Sequence, residues 1–512
     1  MADTLEIRFP RTLLILFVLL AAACGGGSGS NNGGGGGSGP ASSITITPAD
    51  PSVAAGSAIQ LVATATYPDG STRDVTSSGV WSTEVPQIAT ISNTGLLTGQ
   101  AVGISFVSFS GAGSGNYTEI TVTNSYTLTV LHQFRGNPDG GQPSSLMQAS
   151  DGNFYGGTIN GGPNICNGYS SCGILFRVTP QGTKTTIFEF DGGLDGQTPI
   201  APLLEASDGN FYGTTANGGA AGGGGTIFRL TPDGELTTLH SFGVAANDGY
   251  NPSGGLLEAS DGNFYGVTYE GGVNDCPLLK STCGTVYRIT PHGTYTTLYS
   301  FGATPDDGAG PTGALIESSD GNFYGTTISG GENACVFKPN ACGTVFRMTL
   351  GGDVSIVHSF GAGNADGIAP RNTLVQAGDG SIYGATVAGG EHTDGALFKI
   401  APDGTVSTVY SFGAYRWDAA GPAGPLTVGS DGNFYGVTLS GGNRRGPGGE
   451  GGSGAVFMIT PEGVSSVLYA FGPTGGYRPV GAVIRTGDGS LYGVTDNSSP
   501  EGVGIVFKLS PP

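Results

Sequence analysis

Asp208-Gly-Asn-Phe-Tyr-Gly-Thr-Thr215 is the stretch of sequence that decides the fold. Its pattern, Asp-Gly-(Asn/Ser)-X-Tyr-Gly, recurs every 52 to 59 residues and starts at Asp151, Asp208, Asp261, Asp320, Asp379, Asp431 and Asp488. Each Asp-Gly pair is typical of a tight turn between two strands. The adjacent residues Phe211 and Tyr212 point to opposite faces of a strand, so the pattern predicts strands that are apolar on both faces.

Each repeat contains four strand-like runs, which in the second repeat are residues 200–206, 210–215, 226–231 and 235–242. Seven units of four strands are typical of a β-propeller rather than a solenoid. The repeat region opens with a lone fourth strand at residues 126–134 and ends with a third strand at residues 503–509. We therefore expect an all-β, seven-bladed β-propeller over residues 126–512, closed by an N-terminal outer strand that completes the last blade.

Residues 43–123 have a different pattern, with apolar residues at every second position. Ile44 and Ile46 form one stripe, and Leu61, Ala63 and Ala65 belong to another. Turn residues separate several short runs of this kind within about 80 residues, which predicts a small β-sandwich before the propeller.

The N-terminus is predicted to direct export. Residues 1–23 have the features of a signal peptide, because the apolar run at 13–23 follows Arg8 and Arg11 and falls short of the roughly 20 residues that span a bilayer. Small residues followed by Cys24 resemble a bacterial lipobox, which implies a lipidated Cys24; an ordinary secretory signal is the alternative. Residues 24–42 read as a Gly/Ser tether. We expect an exported bacterial protein, lipid-anchored to the cell envelope at the outer membrane or cell surface.

Composition restricts the partners. The formal net charge is −20 and only 11% of residues are charged, which argues against nucleic acid and against electrostatic binding to anionic lipid. We therefore expect membrane contact only through the lipid anchor, and a monomer. Glycan or surface protein ligands remain open.

Two family resemblances follow from these patterns. Tyr67-Pro-Asp-Gly-Ser, Asp74-Val-Thr, Val80-Trp-Ser and Gly95-Leu-Leu-Thr-Gly resemble bacterial Ig-like domains of group 2, which implies a stalk, spacer or adhesive module. The motif at residues 208–215 resembles the tandem repeats of the exported Gloeobacter/Verrucomicrobia family. That resemblance implies export and a propeller, but no activity.

Six cysteines besides Cys24 form three local pairs, each in a loop between the second and third strands of a repeat. An even number of cysteines in an exported protein predicts disulfides. Zinc is the alternative, although no loop offers two further ligands at a suitable spacing. The expected pairs are Cys166 with Cys172, Cys276 with Cys283, and Cys335 with Cys342.

One face of the propeller is predicted to carry the function. The turns between strands 1 and 2 and between strands 3 and 4 are short and uniform, whereas the connections at the other end of the sheets differ in every repeat. Variable loops on a fixed scaffold are where binding sites usually lie. We call this end the variable-loop face; its segments are residues 137–142, 161–173, 244–251, 271–284, 330–343, 414–421 and 441–454.

Candidate catalytic residues are few. His132, His240 and His358 occupy a fourth-strand position that holds Phe or Tyr in the other repeats, so they are predicted to pack as aromatic rings. Only His392, near Glu391 and Asp394, lacks such an interpretation. We therefore predict no catalytic residues, no metal site and no cofactor.

Recurrent carboxylates have structural interpretations too. A set that precedes glycine in the connections between repeats is predicted to form turns, with a cation at the channel mouth as the alternative; it comprises Asp139, Asp195, Asp248, Asp307 and Asp366. Glutamates of the first strands, such as Glu205, are expected to pair with third-strand arginines, such as Arg229.

The most distinctive loop patch is Tyr415-Arg416-Trp417-Asp418, near Arg444 and Arg445. An exposed aromatic ring beside charged hydrogen-bonding groups suits a sugar ring, so these six residues are the candidate ligand site; the alternative is a Trp that covers its own blade. We expect a binding or scaffolding module rather than an enzyme. The alternatives are a polysaccharide lyase or hydrolase and a purely structural envelope protein.

Overall fold

The computed structural model describes residues 39–123, 125–166, 170–220, 223–245, 247–276, 281–304, 306–333, 342–363, 365–414, 418–442, 452–472, 475–497 and 503–512. The predicted signal peptide and Cys24 lie outside these residues. Every regular element in the described ranges is a β-strand, as the sequence predicts. A search of those ranges for a helix able to cross a membrane finds none.

The N-terminal strands form an Ig-like unit with a core of its own. The predicted stripes are buried, since Ile44 and Ile46 are 4% exposed and Leu61 is fully covered. Trp81 packs edge-on against Phe109, with ring centroids 4.9 Å apart, in the same core. The hydrogen-bonded orders are β1-β4-β5, β2-β10-β9-β6 and β3-β8-β7, and the strands are β1 (Ser43–Thr47), β2 (Ser52–Ala54), β3 (Ala58–Gln60), β4 (Val62–Thr66), β5 (Thr72–Asp74), β6 (Val80–Thr83), β7 (Ala89–Ile91), β8 (Leu96–Gly99), β9 (Gly103–Gly111) and β10 (Ser114–Thr123).

The described repeats form seven antiparallel sheets, each built from four consecutive strands except that the last sheet takes its fourth strand from the start of the repeat region. The first strand is interrupted in some sheets. The strands are, for the first sheet, β12 (Gly141–Pro143), β13 (Met147–Gln148), β14 (Phe154–Asn160), β17 (Ile174–Val178) and β18 (Lys184–Glu189); for the second, β19 (Leu204–Glu205), β20 (Phe211–Thr215), β21 (Thr226–Leu230) and β22 (Leu236–Ser241); for the third, β23 (Gly249–Pro252), β24 (Leu257–Glu258), β25 (Phe264–Gly271), β28 (Thr285–Ile289) and β29 (Tyr295–Ser300).

The remaining sheets follow the same order. Their strands are, for the fourth sheet, β30 (Gly308–Glu317), β31 (Phe323–Gly330), β32 (Thr344–Met348) and β33 (Val354–Ser359); for the fifth, β34 (Gly367–Pro370), β35 (Val375–Gln376), β36 (Ile382–Gly389), β37 (Ala396–Ile400) and β38 (Val406–Ser411); for the sixth, β39 (Ala419–Pro422), β40 (Thr427–Val428), β41 (Phe434–Gly441), β42 (Ala455–Ile459) and β43 (Ser465–Ala470); and for the seventh, β44 (Tyr477–Arg485), β45 (Leu491–Asn497), β46 (Ile505–Ser510) and β11 (Thr127–Gln133). Two-residue hairpins, β15 (Ile165–Cys166) with β16 (Ser170–Ser171) and β26 (Asp275–Cys276) with β27 (Ser281–Thr282), lie between the second and third strands.

The N-terminal strand of the repeats pairs with the C-terminal one, as the sequence predicts. β11 is antiparallel to β46, with Thr127 opposite Ser510 and Gln133 opposite Ile505. The first and last parts of the repeat region are therefore joined by a backbone ladder.

A glycine and a proline meet at every junction between described sheets. The glycine precedes the third strand with a φ between 83° and 103°, and a Cβ on it would lie no more than 2.9 Å from Cδ of a proline in, or shortly before, the first strand of the next sheet. Only glycine combines that φ with so close an approach. The pairs are Gly173 with Pro199, Gly225 with Pro252, Gly284 with Pro311, Gly343 with Pro370, Gly395 with Pro422, Gly454 with Pro479, and Gly504 with Pro143.

A backbone hydrogen bond accompanies each of these contacts. The residue before the proline donates its N–H to the carbonyl of the residue before the glycine, with N···O distances of 2.7 to 2.9 Å. The donor and acceptor pairs are Thr198 and Cys172, Asn251 and Gly224, Gly310 and Cys283, Ala369 and Cys342, Gly421 and Asp394, Arg478 and Ser453, and Gln142 and Val503. The seventh sheet is thus joined to the first by the same bond that joins the others.

The repeated motif fills the space between sheets. Its tyrosine faces the next sheet, where the ring of Tyr155 stacks on Phe211 with centroids 4.5 Å apart. The same contact joins the last sheet to the first, with Tyr492 and Phe154 centroids 4.3 Å apart. The glycine after the tyrosine allows this packing, because a Cβ on Gly156 would lie 2.7 Å from the Phe176 ring.

The aspartate of the motif binds its own turn and lies near a cation. Asp151 accepts from the backbone N–H of Asn153 and from the Tyr155 hydroxyl, at 2.9 and 2.8 Å. A third-strand cation of the same sheet faces most of these aspartates; Lys399, for example, lies 3.2 Å from Asp379.

The sixth sheet takes its cation from a neighbour. It has Met458 where other sheets carry the cation, and Arg485 of the seventh sheet reaches Asp431 at 3.3 Å and lies 5.0 Å from the Tyr435 ring centroid. The ion-pair partner of Arg485 therefore belongs to the repeat before its own.

The predicted pairing of first-strand glutamates with third-strand arginines is wrong. Glu205 instead accepts from the backbone N–H and hydroxyl of Ser150 in the preceding sheet, at 2.7 and 2.6 Å. Glu258 and Glu317 bind Ser207 and Ser260 in the same way. Each of these carboxylates therefore has two donors at the turn of the preceding sheet, and the carboxylate charge assists the bond from the backbone N–H.

Substitution of the junction glycine Gly284 tests the contact between sheets. Gly284→Ala places a Cβ 2.6 Å from Cδ of Pro311 at a φ of 92°, so we expect the free energy of unfolding to fall by roughly 3 kcal/mol, measured by chemical denaturation. Gly404→Ala is the control, since Gly404 has a φ of 87° but no neighbour within 4 Å, and should cost only about 1 kcal/mol. Equal losses would contradict the role of the junction.

Substitution of Tyr287 is expected to stabilise the protein, unlike that of Gly284. Its hydroxyl is buried without a hydrogen-bond partner among the described residues, and the other sheets have Phe at this position. We expect Tyr287→Phe to raise the free energy of unfolding by about 1 kcal/mol. Tyr265→Phe in the same sheet removes a 2.9 Å bond to Asp261 and should lower it by about as much. A loss in both variants would be the contrary result.

Candidate functional site

The variable-loop face lies at one end of every sheet. Because neighbouring strands are antiparallel, the connection from strand 2 to strand 3 and the end of strand 4 share an end with the start of strand 1. The Asp-Gly turns lie at the opposite end. The variable segments therefore emerge beside the glycine–proline junctions.

Two of the predicted disulfides are present in the described part of this face. Cys166 bonds Cys172 and Cys276 bonds Cys283, with Cα–Cα distances of 5.3 and 4.8 Å. Cys335 of the third predicted pair lies outside the described residues. The carbonyls of Cys172 and Cys283 accept the hydrogen bonds between sheets from Thr198 and Gly310, so each disulfide holds an acceptor of the junction in place.

Most of the candidate ligand patch lies outside the described residues, namely Tyr415, Arg416, Trp417, Arg444 and Arg445. Its remaining member, Asp418, is 1% exposed. The Asp418 carboxylate accepts from the Tyr410 hydroxyl at 2.7 Å and from the backbone N–H groups of Gly413 and Ala419 at 2.8 Å. Burial raises the pKa of Asp418 to about 6. The structure thus gives this side chain a role in shaping the loop.

The other loop aspartates have the same local geometry. Asp307 accepts from the Tyr299 hydroxyl and from the N–H of Gly302, both at 2.8 Å. These bonds fold the connection back onto the fourth strand, which agrees with the predicted turn. Nothing in the described residues gathers three His, Cys, Asp or Glu side chains suited to a metal ion.

Histidine replaces tyrosine in some of these contacts. Nε2 of His132, His240 and His358 lies 3.0, 3.1 and 3.3 Å from Asp139, Asp248 and Asp366, respectively. Each ring also packs edge-on against a phenylalanine, as the sequence predicts. The aspartate partner was not predicted, although the sequence contains the signal: a His or Tyr followed seven or eight residues later by Asp. His392 is exposed and belongs to no such pair in the described residues.

Asp195 is the exception among these carboxylates. Where the equivalent aspartates contact a fourth-strand His or Tyr, the fourth-strand position before Asp195 holds Phe188, whose side chain has no hydrogen-bond donor. Asp195 Oδ1 is buried without a partner among the described residues. Its Oδ2 accepts from the N–H of Asp191 at 2.9 Å. Burial, together with the neighbouring Asp191 carboxylate, raises the pKa of Asp195 to about 7.

The raised pKa of Asp195 predicts a pH-dependent gain of stability in Asp195→Asn. The folded state holds the Asp195 proton up to about pH 7 while the unfolded state releases it near pH 4, so the wild-type protein loses stability between these values. We expect the variant to match the wild type near pH 4 and to exceed it above pH 7, on the order of 1 kcal/mol after solvent screening.

Denaturation at pH 4.5 and pH 8 measures this difference. Asp307→Asn is the control, because it weakens the bonds from Tyr299 and Gly302 and should destabilise the protein at both pH values. If the stability of Asp195→Asn relative to the wild type does not rise between pH 4.5 and pH 8, the raised pKa of Asp195 is ruled out.

Known proteins resemble parts of this chain. Ice-binding protein 1 of Shewanella frigidimarina is 36% identical over 89 residues, which is 17% of this chain and 10% of that protein. The chain therefore spans about a tenth of the length of this curated relative.

The likeness to solved structures is weak. The extracellular domain of a hybrid two-component system from B. thetaiotaomicron is 11% identical, with 92% of this chain and 58% of that chain covered and a TM-score of 0.47. A gluconolactonase from Xanthomonas campestris is 11% identical over 76% of this chain and 90% of its own, with a TM-score of 0.36. A luciferin-regenerating enzyme is 10% identical, with 75% of this chain and 95% of that chain covered and a TM-score of 0.36. Scores this low carry no argument about fold or activity.

Family models match most of the sequence. The bacterial Ig-like domain (group 2) matches residues 40–134 and agrees with the unit formed by β1 to β10. That domain and the two disulfides suggest an extracellular bacterial protein. The Gloeobacter/Verrucomicrobia repeat matches residues 93–337 and 336–512. The chain therefore belongs to the Gloeobacter/Verrucomicrobia repeat family.

Proposed function

We propose that the seven sheets are the blades of one closed β-propeller over residues 126–512. The junction between the seventh and first sheets supports this architecture, because it repeats the glycine–proline contact, the backbone hydrogen bond and the aromatic stack of other junctions. Gly504 meets Pro143, the Gln142 N–H donates to Val503 at 2.7 Å, and Tyr492 stacks on Phe154. Within the seventh sheet, the β11–β46 ladder joins the two ends of the repeat region.

We further propose that this propeller is a binding or scaffolding module for a glycan or a surface protein. The observation that carries the proposal is the contrast between the two ends of the sheets. One end repeats the same aspartate turn in each repeat, while the other holds loops of different length and sequence on the repeated glycine–proline junctions. A fixed framework with variable loops is the usual arrangement of a recognition surface.

The proposed address is the bacterial cell envelope. A signal peptide at residues 1–23, a lipidated Cys24 and a tether up to residue 42 would hold the Ig-like domain, residues 43–123, and the propeller outside the cell. The partial similarity to a protein named for binding ice supports a binding role. The candidate ligand patch remains Tyr415, Arg416, Trp417, Asp418, Arg444 and Arg445, with Asp418 acting through the shape of its loop.

Binding of the purified protein to an array of bacterial and plant polysaccharides, with analysis of any products, tests the function. We expect binding without cleavage, and at least about tenfold weaker binding after Trp417→Ala, since stacking on an aromatic ring contributes about 1 kcal/mol or more. Tyr117→Ala is the control, because Tyr117 is an aromatic residue of the Ig-like unit with 63% exposure.

Each other result has a defined meaning. Cleavage of a polysaccharide would contradict a pure binding role and direct attention to His392. Binding that survives Trp417→Ala would remove that loop from the site, and an empty array would leave a protein ligand or a structural role.

A further inference from the structure

The start of each first strand carries a backbone conformation that is unfavourable for most residues. The residue before the junction proline has a left-handed φ in all seven described sheets, between 54° and 65°. These residues are Gln142, Thr198, Asn251, Gly310, Ala369, Gly421 and Arg478. L-amino acids are disfavoured there, a β-branched residue such as Thr most of all, and a following proline restricts the backbone further.

Glycine is the residue that this position favours, and two sheets have it. Gly310 and Gly421 adopt the same φ without a side chain. A Cβ on Gly421 would have no atom closer than 3.8 Å, so the position opens into free space and packing does not require a side chain. Gln142, Thr198 and Arg478 therefore carry side chains at a strained backbone position, and strained residues cluster at functional sites.

The polar side chains at this position are clustered rather than scattered. They occur in the seventh, first, second and third sheets, which follow one another through the junctions, whereas the fourth, fifth and sixth sheets have Gly310, Ala369 and Gly421. The ends of the adjacent second strands add Asn160 and Asp496. We call Gln142, Asn160, Thr198, Asn251, Arg478 and Asp496 the polar crescent.

Hydrogen-bonding groups in the polar crescent are arranged in complementary pairs. Asn160 Nδ2 donates to Gln142 Oε1 at 2.6 Å, and Arg478 Nε lies 3.4 Å from Asp496 Oδ2. Asp496 Oδ1 is buried and has no hydrogen-bond partner among the described residues. The side chain of Arg478 is 56% exposed, and Gln142 is exposed as well.

We propose that the polar crescent binds a neutral sugar unit of a glycan, at the mouth of the ring on the variable-loop face. The inference rests on the proposed binding function, names its ligand class and adds a second contact region to the patch around Trp417. Each sugar hydroxyl both donates and accepts, which amide pairs and an Arg–Asp pair match. The charges of Arg478 and Asp496 cancel, so the site does not select an anion. A protein ligand would favour an apolar centre, which these six residues do not supply.

Glycine substitutions test the polar crescent without damage to the fold. Gln142→Gly and Thr198→Gly remove the side chain and relieve the backbone, so we expect an unchanged or higher Tm together with binding of neutral polysaccharides on the order of tenfold weaker. Ala369→Gly is the matched control, since it relieves the same φ of 55° in the fifth sheet without loss of a polar group. It should leave binding unchanged.

The panel contains the neutral β-glucan, mannan and xylan beside the anionic alginate and pectate. Binding of neutral polymers that Gln142→Gly and Thr198→Gly leave intact would overturn the polar crescent but not the binding function. An equal loss in Ala369→Gly would assign the effect to the backbone and overturn it too. Binding of anionic polymers alone would overturn the neutral sugar as the ligand. Binding of no polymer at all would overturn both the neutral sugar and the glycan-binding function.

Discussion

The contact between a glycine of one sheet and a proline of the next is the constraint on which the repeat region depends. The glycine must have a left-handed φ and no Cβ, because the proline lies against it. The residue before the proline must also donate its N–H to the carbonyl of the residue before the glycine. This combination fixes both the separation and the relative rotation of two sheets. Aromatic stacking and the serine–glutamate bonds then fill the space that the junction defines.

Much of the fold could be predicted because its signals lie within one repeat. The Asp-Gly turn, the adjacent aromatic pair and the local cysteines are fixed residue types at fixed spacing, and the strands appeared close to their predicted places. In the second repeat the run at 200–206 is shorter than predicted and comprises Leu204–Glu205.

Contacts between repeats were beyond the reach of the sequence alone. The recurrence of glutamate with arginine predicts that Glu205 pairs with an arginine, but its donors belong to Ser150 of the preceding sheet. The strained position before each proline was also invisible, because its residue type changes from sheet to sheet while its φ does not. The candidate ligand patch around Trp417 has unusual residues, which the sequence alone makes visible. The polar crescent has ordinary residues in an unusual conformation, which only the backbone reveals.

The pairing of β11 with β46 has a consequence for the order of folding. β11 is synthesised before any other strand of the repeats and must wait for Ile505–Ser510, so its edge stays open while the intervening sheets form. A contact between such distant segments forms slowly, since a long loop must close before the ladder can stabilise it. The unpaired strand is apolar on part of its surface, with Val130 44% exposed even in the folded protein. The last step of folding is thus the one in which the chain is most open to association with another copy.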